Sequence, residues 1–232
     1  MKIRKGVQKI YTEVAETYEM VNHILTFGLD IFWRKKTAKI AARLGGTLWL
    51  DICSGTGEMA HRLSGCAAEE VQIFAVDFSL SMLARAKQKS HGSNLFFSIA
   101  EAGSLPFPDE CFDLVTISFA TRNLNLRRDV LEFYLKEFFR VLKPGGYFLN
   151  LETSQPSLQA IRRIFHSYIR FIVGPVGWFF SGSKAGYRYL SFTIPRFPTP
   201  EEFTSILQDT GFSCVVYQKF FLGVSALHTA TK

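Results

Sequence analysis

Two acids and a pair of glycines are the residues of this chain best spaced to do chemistry. The apolar run Trp49-Leu50 ends in Asp51-Ile52 and passes straight into Cys53-Ser54-Gly55-Thr56-Gly57-Glu58. A second apolar run, Phe74-Ala75-Val76, ends in Asp77, twenty residues after Gly57. Short apolar runs of this kind read as buried parallel strands. The glycines let the backbone turn tightly and let a ligand lie against main-chain atoms that a Cβ would block. An acid ending the neighbouring strand can accept hydrogen bonds from a ribose diol. The layout is that of a nucleoside-cofactor site, with Asp51, Gly55, Thr56, Gly57 and Asp77 as candidate contacts. A dinucleotide fingerprint needs a third glycine where Ala60 stands. Glu58 at the helix start also disfavours a pyrophosphate, because both are anions at one dipole end. The acid suits a cofactor with an amino-acid tail and a sulfonium, so the site reads as one for S-adenosylmethionine. A strand-to-helix turn with no ligand is the alternative.

These residues need a scaffold that gathers strand ends. The spacing predicts strands near 47–53, 71–76, 94–99, 112–118 and 146–153. Between them it predicts helices from 57, over 79–90 with Ser79 as cap, and over 128–142 ending in Lys143-Pro144-Gly145-Gly146. That alternation implies an α/β fold, a Rossmann-like and mostly parallel sheet with helices on both faces. Ligands bind such sheets beyond the C-terminal strand ends, near the switch in strand order. Asp51 to Gly57, Asp77, Glu101 and Ser118 then lie along one edge. Thr199-Pro200-Glu201-Glu202 starts a helix over 200–210. Runs 213–221 and 223–230 read as an antiparallel pair, completing seven strands with an antiparallel last one. Helical spacing also marks 7–25 and 30–44. The whole chain, 1–232, is expected to be a single domain, with 1–45 as an N-terminal helical cap. Residues 155–198, with Pro156, Pro175, Pro195 and Pro198 and many aromatics, are expected to form an inserted lid or substrate segment.

Bulk properties narrow the classes. The chain has 232 residues, is 47% hydrophobic and carries a net charge of +7. It is neither disordered nor long enough for several large domains. The charge fits nucleic acid or an anionic membrane face, but the bases are scattered and no nucleic-acid module accompanies them. Four cysteines without CxxC spacing exclude a zinc framework and point to reduced thiols, and no metal is expected. No run of about 20 apolar residues is present to span a membrane. A cytoplasmic protein is expected.

The chain resembles the ubiquinone/menaquinone biosynthesis C-methyltransferases of the UbiE type over nearly its whole length. The resemblance rests on Tyr18-x-x-x-Asn22, Trp33-Arg34, Leu50-Asp51 with Gly55-Thr56-Gly57, and Asp77-x-Ser79-x-Ser81-Met82-Leu83. It continues through Leu105-Pro106-Phe107-Pro108-Asp109, Ser118-Phe119 with Arg122-Asn123, Lys143-Pro144-Gly145-Gly146 and Ala226-Leu227-His228. The Arg-Asn pair and the Ala-Leu-His tail are the most particular of these. The resemblance implies a class I methyltransferase that uses S-adenosylmethionine to methylate a ring carbon of a polyprenylated quinol. By motif match it makes Thr56, Asp77, Glu101 with Ala102, and Ser118 cofactor contacts.

A ring carbon becomes nucleophilic when an adjacent hydroxyl loses its proton. Arg122 suits the oxyanion so formed, and Asn123 could orient the ring oxygens. A structural ion pair and a turn residue are the alternatives for these two. Glu58 either holds the cofactor amine or favours the helix start. His228 is expected to be a hydrogen-bonded core residue. The expected partners are the quinol, naphtho- or benzo-type, and the inner face of the membrane through the apolar run 169–180. A homo-oligomer stays open and nucleic acid is not expected. The rivals are an RNA methyltransferase and a silent methyltransferase-like binding protein.

Overall fold

The computed structural model describes residues 16–90 and 92–232. The expected helical spacing over residues 7–15, and the basic residues Lys2, Arg4 and Lys5, lie outside the described residues. The chain begins with α1 (Tyr18–Leu25) and α2 (Leu29–Leu44). Then come β1 (Leu48–Ile52), α3 (Glu58–Ser64), β2 (Gln72–Asp77), α4 (Leu80–Gln88), β3 (Leu95–Ile99) and β4 (Phe112–Ser118). A one-turn helix α5 (Thr121–Leu124), α6 (Arg128–Val141) and β5 (Leu142–Thr153) complete the alternating part.

The strands form one seven-stranded sheet in the order β3-β2-β1-β4-β5-β7-β6, where β6 is Ser213–Phe220 and β7 is Ser225–Thr231. The first five pair in parallel, and β7 runs antiparallel to both β5 and β6. The last strand in sequence is therefore the reversed one, slotted between β5 and β6. The order switches between β1 and β4, where open α/β sheets bind their ligands. Burial follows from this layering. Leu50, Ile52, Val115, Ile117 and Phe148 pack on α6 and α10 (Pro200–Thr210), while Trp49, Ile73, Leu114 and Leu149 pack on α2 and α3.

Two sequence expectations change. The helix before Lys143 ends at Val141 as expected, but β5 starts at once, at Leu142 and not near 146, so Lys143 to Gly146 fall inside the strand as a bulge: Phe112 pairs with Leu142 and Leu114 with Tyr147. Gly145, at φ +75°, supplies the left-handed residue that the bulge needs. The proline- and glycine-broken segment is mostly helical: α7 (Gln159–Tyr168), a π-turn (Ile169–Val173), α8 (Gly174–Ser181) and α9 (Lys184–Thr193). Pro175 sits in the first turn of α8, directly after the π-turn, an irregularity in the helical ladder that accommodates a residue with no N–H. Val21 and Leu25 of α1 pack against Phe165, Ile169, Val173, Tyr187 and Ile194, forming a third apolar cluster apart from the sheet.

Candidate functional site

The C-terminal ends of β1, β2 and β4 open onto a cleft of about 550 Å³. Its walls come from Cys53 to Thr56 after β1, Asp77 and Phe78 at the end of β2, Glu101 and Ala102 after β3, and Ser118 and Phe119 at the end of β4. Asp77 is buried and accepts from the Gly55 N–H at 2.9 Å and from the Ser79 N–H at 2.8 Å. Burial pushes its carboxyl up, against those backbone N–H groups and that of Phe78. A carboxylate offers about four acceptor sites, so these backbone N–H groups leave acceptor capacity, which is what a ribose diol requires. A Cβ at Gly55 would meet no protein atom within 4 Å, so the turn leaves open space beside the cleft. A nucleoside fits this site.

The two glycines have different reasons to be there. Gly57 does not line the cleft; its φ is +81°, and a Cβ would lie 2.8 Å from Ala86 Cβ and 2.9 Å from His61 Nε2. Close packing of α3 on α4 by itself requires a glycine there. Asp51 does not line the cleft either. It is fully buried, accepts from Thr116 Oγ1 at 2.7 Å, and its carboxyl is pushed up to about 6 by burial, with Asp77 adding repulsion. It lies beneath the turn and supports it.

A second cavity, of about 390 Å³, lies beside the first and is almost wholly apolar. Leu25 and Phe27, Ile161, Ile164 and Phe165, Ile169 and Val173, and Phe221 and Leu222 wall it. Three segments far apart in sequence therefore build one chamber. Tyr18, Arg34 and Phe119 line both cavities and mark the aperture between them.

Arg122 and Asn123 divide between the two chambers. Arg122 lines the apolar cavity and Asn123 the polar cleft. Consecutive residues of a helical turn point about 100° apart, as 3.6 residues per turn require. The structure thus does not bring Asn123 to the apolar cavity. Arg122 is buried: its Nη1 donates to Glu152 Oε1 at 2.8 Å and to the Phe119 carbonyl at 2.6 Å. Its backbone N–H donates to Glu152 Oε2 at 3.1 Å. It is both an ion-pair partner and a wall of the apolar cavity.

Sequence reasoning missed the polar cluster at the aperture. Arg34 donates to Asp30 Oδ2 at 2.6 Å, lies 3.3 Å from Glu58 Oε2, and stacks over the Phe119 ring at 4.8 Å. His23 bridges the same acids, with Nδ1 3.0 Å from Asp30 Oδ2 and Nε2 3.3 Å from Glu58 Oε1. His23, Asp30 and Glu58 place donor atoms within 4.8 Å of one another, a spacing suited to a metal. Arg34 already bridges the two carboxylates as their cation. Thr26, Asp30 and Arg34 recur every four residues, which was the available signal. Glu58 is thus engaged with Arg34 and His23 while lining the cleft, and burial pushes its carboxyl up. His228 is a core residue as expected: it contacts the Pro200 carbonyl at 3.0 Å, and burial pushes it down to about 4.

Strain gathers here too. Among the described residues, seven non-glycines have positive φ, and five of them, Phe27, Cys53, Phe119, Phe221 and Leu222, line one cavity or the other. Each costs about 1–2 kcal/mol for an L-residue, and such strain concentrates at functional sites.

A family model described as the ubiE/COQ5 methyltransferase family matches residues 1–232. The chain belongs to that family. It is similar to a demethylmenaquinone methyltransferase of Listeria welshimeri, 34% identical over 229 residues, which is 97% of this chain and 95% of the relative. It is also similar to one of Staphylococcus aureus, 35% identical over 230 residues, 99% of this chain and 94% of that one. A solved methyltransferase of Thermotoga maritima, described as SAM-dependent and a possible histamine N-methyltransferase, superposes with a TM-score of 0.66 at 19% identity. The superposition covers 97% of this chain and 99% of that one, and carries the fold alone. The chain is a methyltransferase with the class I fold.

Proposed function

We propose that the methyltransferase methylates a ring carbon of a polyprenylated demethylnaphthoquinol, with S-adenosylmethionine in the polar cleft and the quinol ring in the apolar cavity. The observation that carries this reading is the meeting of the two cavities at Tyr18, Arg34 and Phe119. S-adenosylmethionine, when bound, supplies a sulfonium methyl group. Asp77 would hold the ribose, the walls at Phe78, Glu101 and Ala102 the adenine end, and Ser118 and Asn123 the side facing α5. Arg34 and Glu58, of opposite charge, suit the charged amino-acid tail. On the other side, Arg122 stabilises the quinol oxyanion in a site where water is scarce and a fixed cation acts strongly. The walls hold the ring flat against the aperture, which supplies orientation.

The insertion 155–198 serves as the acceptor-binding segment and as the contact with the membrane. Ile169 and Val173 face the cavity, while Phe171, Trp178 and Phe179 are exposed, Phe179 at 81%. The cavity mouth carries Phe27, Ile164, Phe221 and Leu222, all exposed. Among the described residues no helix is long and apolar enough to cross a membrane. Exposed aromatics with Arg162, Arg163 and Arg170 nearby suit an anionic interface.

Methyl transfer to a short-chain demethylnaphthoquinol, read by mass spectrometry, tests the function: a ring-methylated product is expected. Absence of product, or methylation of RNA instead, would overturn it. Flotation with anionic vesicles at low salt, with a change in Trp178 fluorescence, tests the membrane contact; protein left at the bottom of the gradient would remove it.

A further inference from the structure

Methylating a ring carbon releases one proton per turnover, and an apolar chamber has few groups to receive it. We propose that Asp30 is the proton acceptor of the apolar cavity and that His23 carries the proton from it to solvent. The proposal rests on the function given above. The titratable side chains lining this cavity are Tyr18, Asp30, Arg34, Arg122 and Tyr168. The guanidinium groups have no lone pair to offer. Tyr168 keeps its proton: burial pushes its phenol up, and its hydroxyl donates to the Leu25 carbonyl at 2.7 Å. Tyr18 carries the same functional group as the ring hydroxyl it would have to deprotonate. The carboxylate of Asp30 remains.

Its surroundings fit the task. Thr26 Oγ1 donates to Oδ1 at 2.6 Å and Arg34 to Oδ2 at 2.6 Å, which fixes the carboxylate. Arg34 itself forms the aperture, so Asp30 stands one guanidinium away from where the reacting carbon must lie. Burial pushes the Asp30 carboxyl up, but Arg34, Thr26 and His23 outweigh it and hold the group below its usual range. Asp30 is therefore anionic when the acceptor arrives and keeps no proton for long. His23 Nδ1 lies 3.1 and 3.0 Å from its two oxygens, and the His23 ring is 30% exposed, giving a way out. Glu58 faces the other ring nitrogen, and Glu19 lies near enough to feel the imidazole charge.

The balance is simple. The ring O–H bond breaks, its proton passes to Asp30, and its electron pair moves to the ring carbon that forms the new C–C bond as the C–S bond breaks. The hydrogen on that carbon then leaves as a proton, its electrons restore the aromatic ring, and the oxygen regains a proton. One proton per methyl group leaves through His23.

The test is single-turnover methyl transfer to a short-chain demethylnaphthoquinol from about pH 5 to 9, in wild type, Asp30→Asn and His23→Gln. Binding of S-adenosylhomocysteine serves as the fold control. Asp30→Asn is expected to lose at least about 100-fold in rate, the scale of a lost general base, with unchanged affinity for the product cofactor. His23→Gln is expected to lose less and to change the shape of the pH profile. If Asp30→Asn does not bind the control ligand, the profile of His23→Gln decides. A wild-type profile in His23→Gln, or an Asp30→Asn rate within a few-fold of wild type, overturns the relay. A wild type that transfers no methyl group overturns the function and the relay together.

Discussion

The two cavities are neighbours but are built on opposite plans. The polar cleft is made of strand ends and the tight turns that follow them, each set by a few consecutive residues. The apolar cavity is assembled from α1 and the start of α2, the helical insertion, and the turn between β6 and β7, segments that meet only in the folded chain. Chemistry that needs charge and backbone N–H groups sits on the rigid sheet edge. Chemistry that needs an apolar, shape-adapted chamber sits on helices outside the sheet. A local motif fixes the first, and long-range packing fixes the second.

Arg122, whose neighbour faces the other chamber, gives the largest break in this comparison. Arg122→Met leaves the Glu152 carboxylate buried without its cation, so the protein should lose about 3–5 kcal/mol in denaturant unfolding and most of its turnover. Adding Glu152→Gln should return much of the stability and none of the turnover. A double variant that regains activity would reduce Arg122 to a structural residue.

Asp51 tests the support beneath the cleft. In the folded chain burial pushes its carboxyl up to about 6, above the ordinary 3.8. The stabilisation from its protonated form is therefore full below about pH 4 and lost as pH rises through 6. Ionised Asp51 then costs roughly 3 kcal/mol. Asp51→Asn should be more stable than wild type at pH 8 and nearly equal to it at pH 4, by urea midpoints at the two pH values. Equal stability at both would mean that the carboxylate is compensated by groups other than Thr116 and Ser54.

Asp77→Ala should weaken S-adenosylmethionine binding by about 1.5–3 kcal/mol, the scale of hydrogen bonds to a charged group. Acceptor binding should stay as it was, because Asp77 lines only the polar cleft. Calorimetry with both ligands reads this directly. Equal loss for the two would erase the division into two chambers.

The same division explains what the sequence made legible. All seven strands, the cap at Ser79 and the candidate contacts Gly55, Thr56, Asp77, Glu101, Ala102 and Ser118 follow from local patterns, and the structure brings those six residues to one cleft. Gly57 and Asp51 have the right types for ligand contact but do not line the cleft; Gly57 packs on α4 and Asp51 accepts from Thr116. The meeting of Arg34 and Phe119 is not legible because it joins a helix to a strand end about 85 residues away in sequence, whereas the Asp30 cluster left a local four-residue recurrence. The helices of 159–193 were masked by Pro175 and Gly174, which the π-turn and a helix start accommodate. Asn123 follows Arg122 in the Arg-Asn motif, and helical geometry turns the two to different cavities.

Photolabelling tests the two-chamber account most directly. A short-chain naphthoquinone bearing a diazirine on its side chain would be cross-linked to the protein with S-adenosylhomocysteine bound, and the labelled peptides mapped by mass spectrometry. The account predicts label on residues 18–29, 161–173 and 221–224. Label on residues 53–59 or 123–134, with none in the insertion, would contradict it.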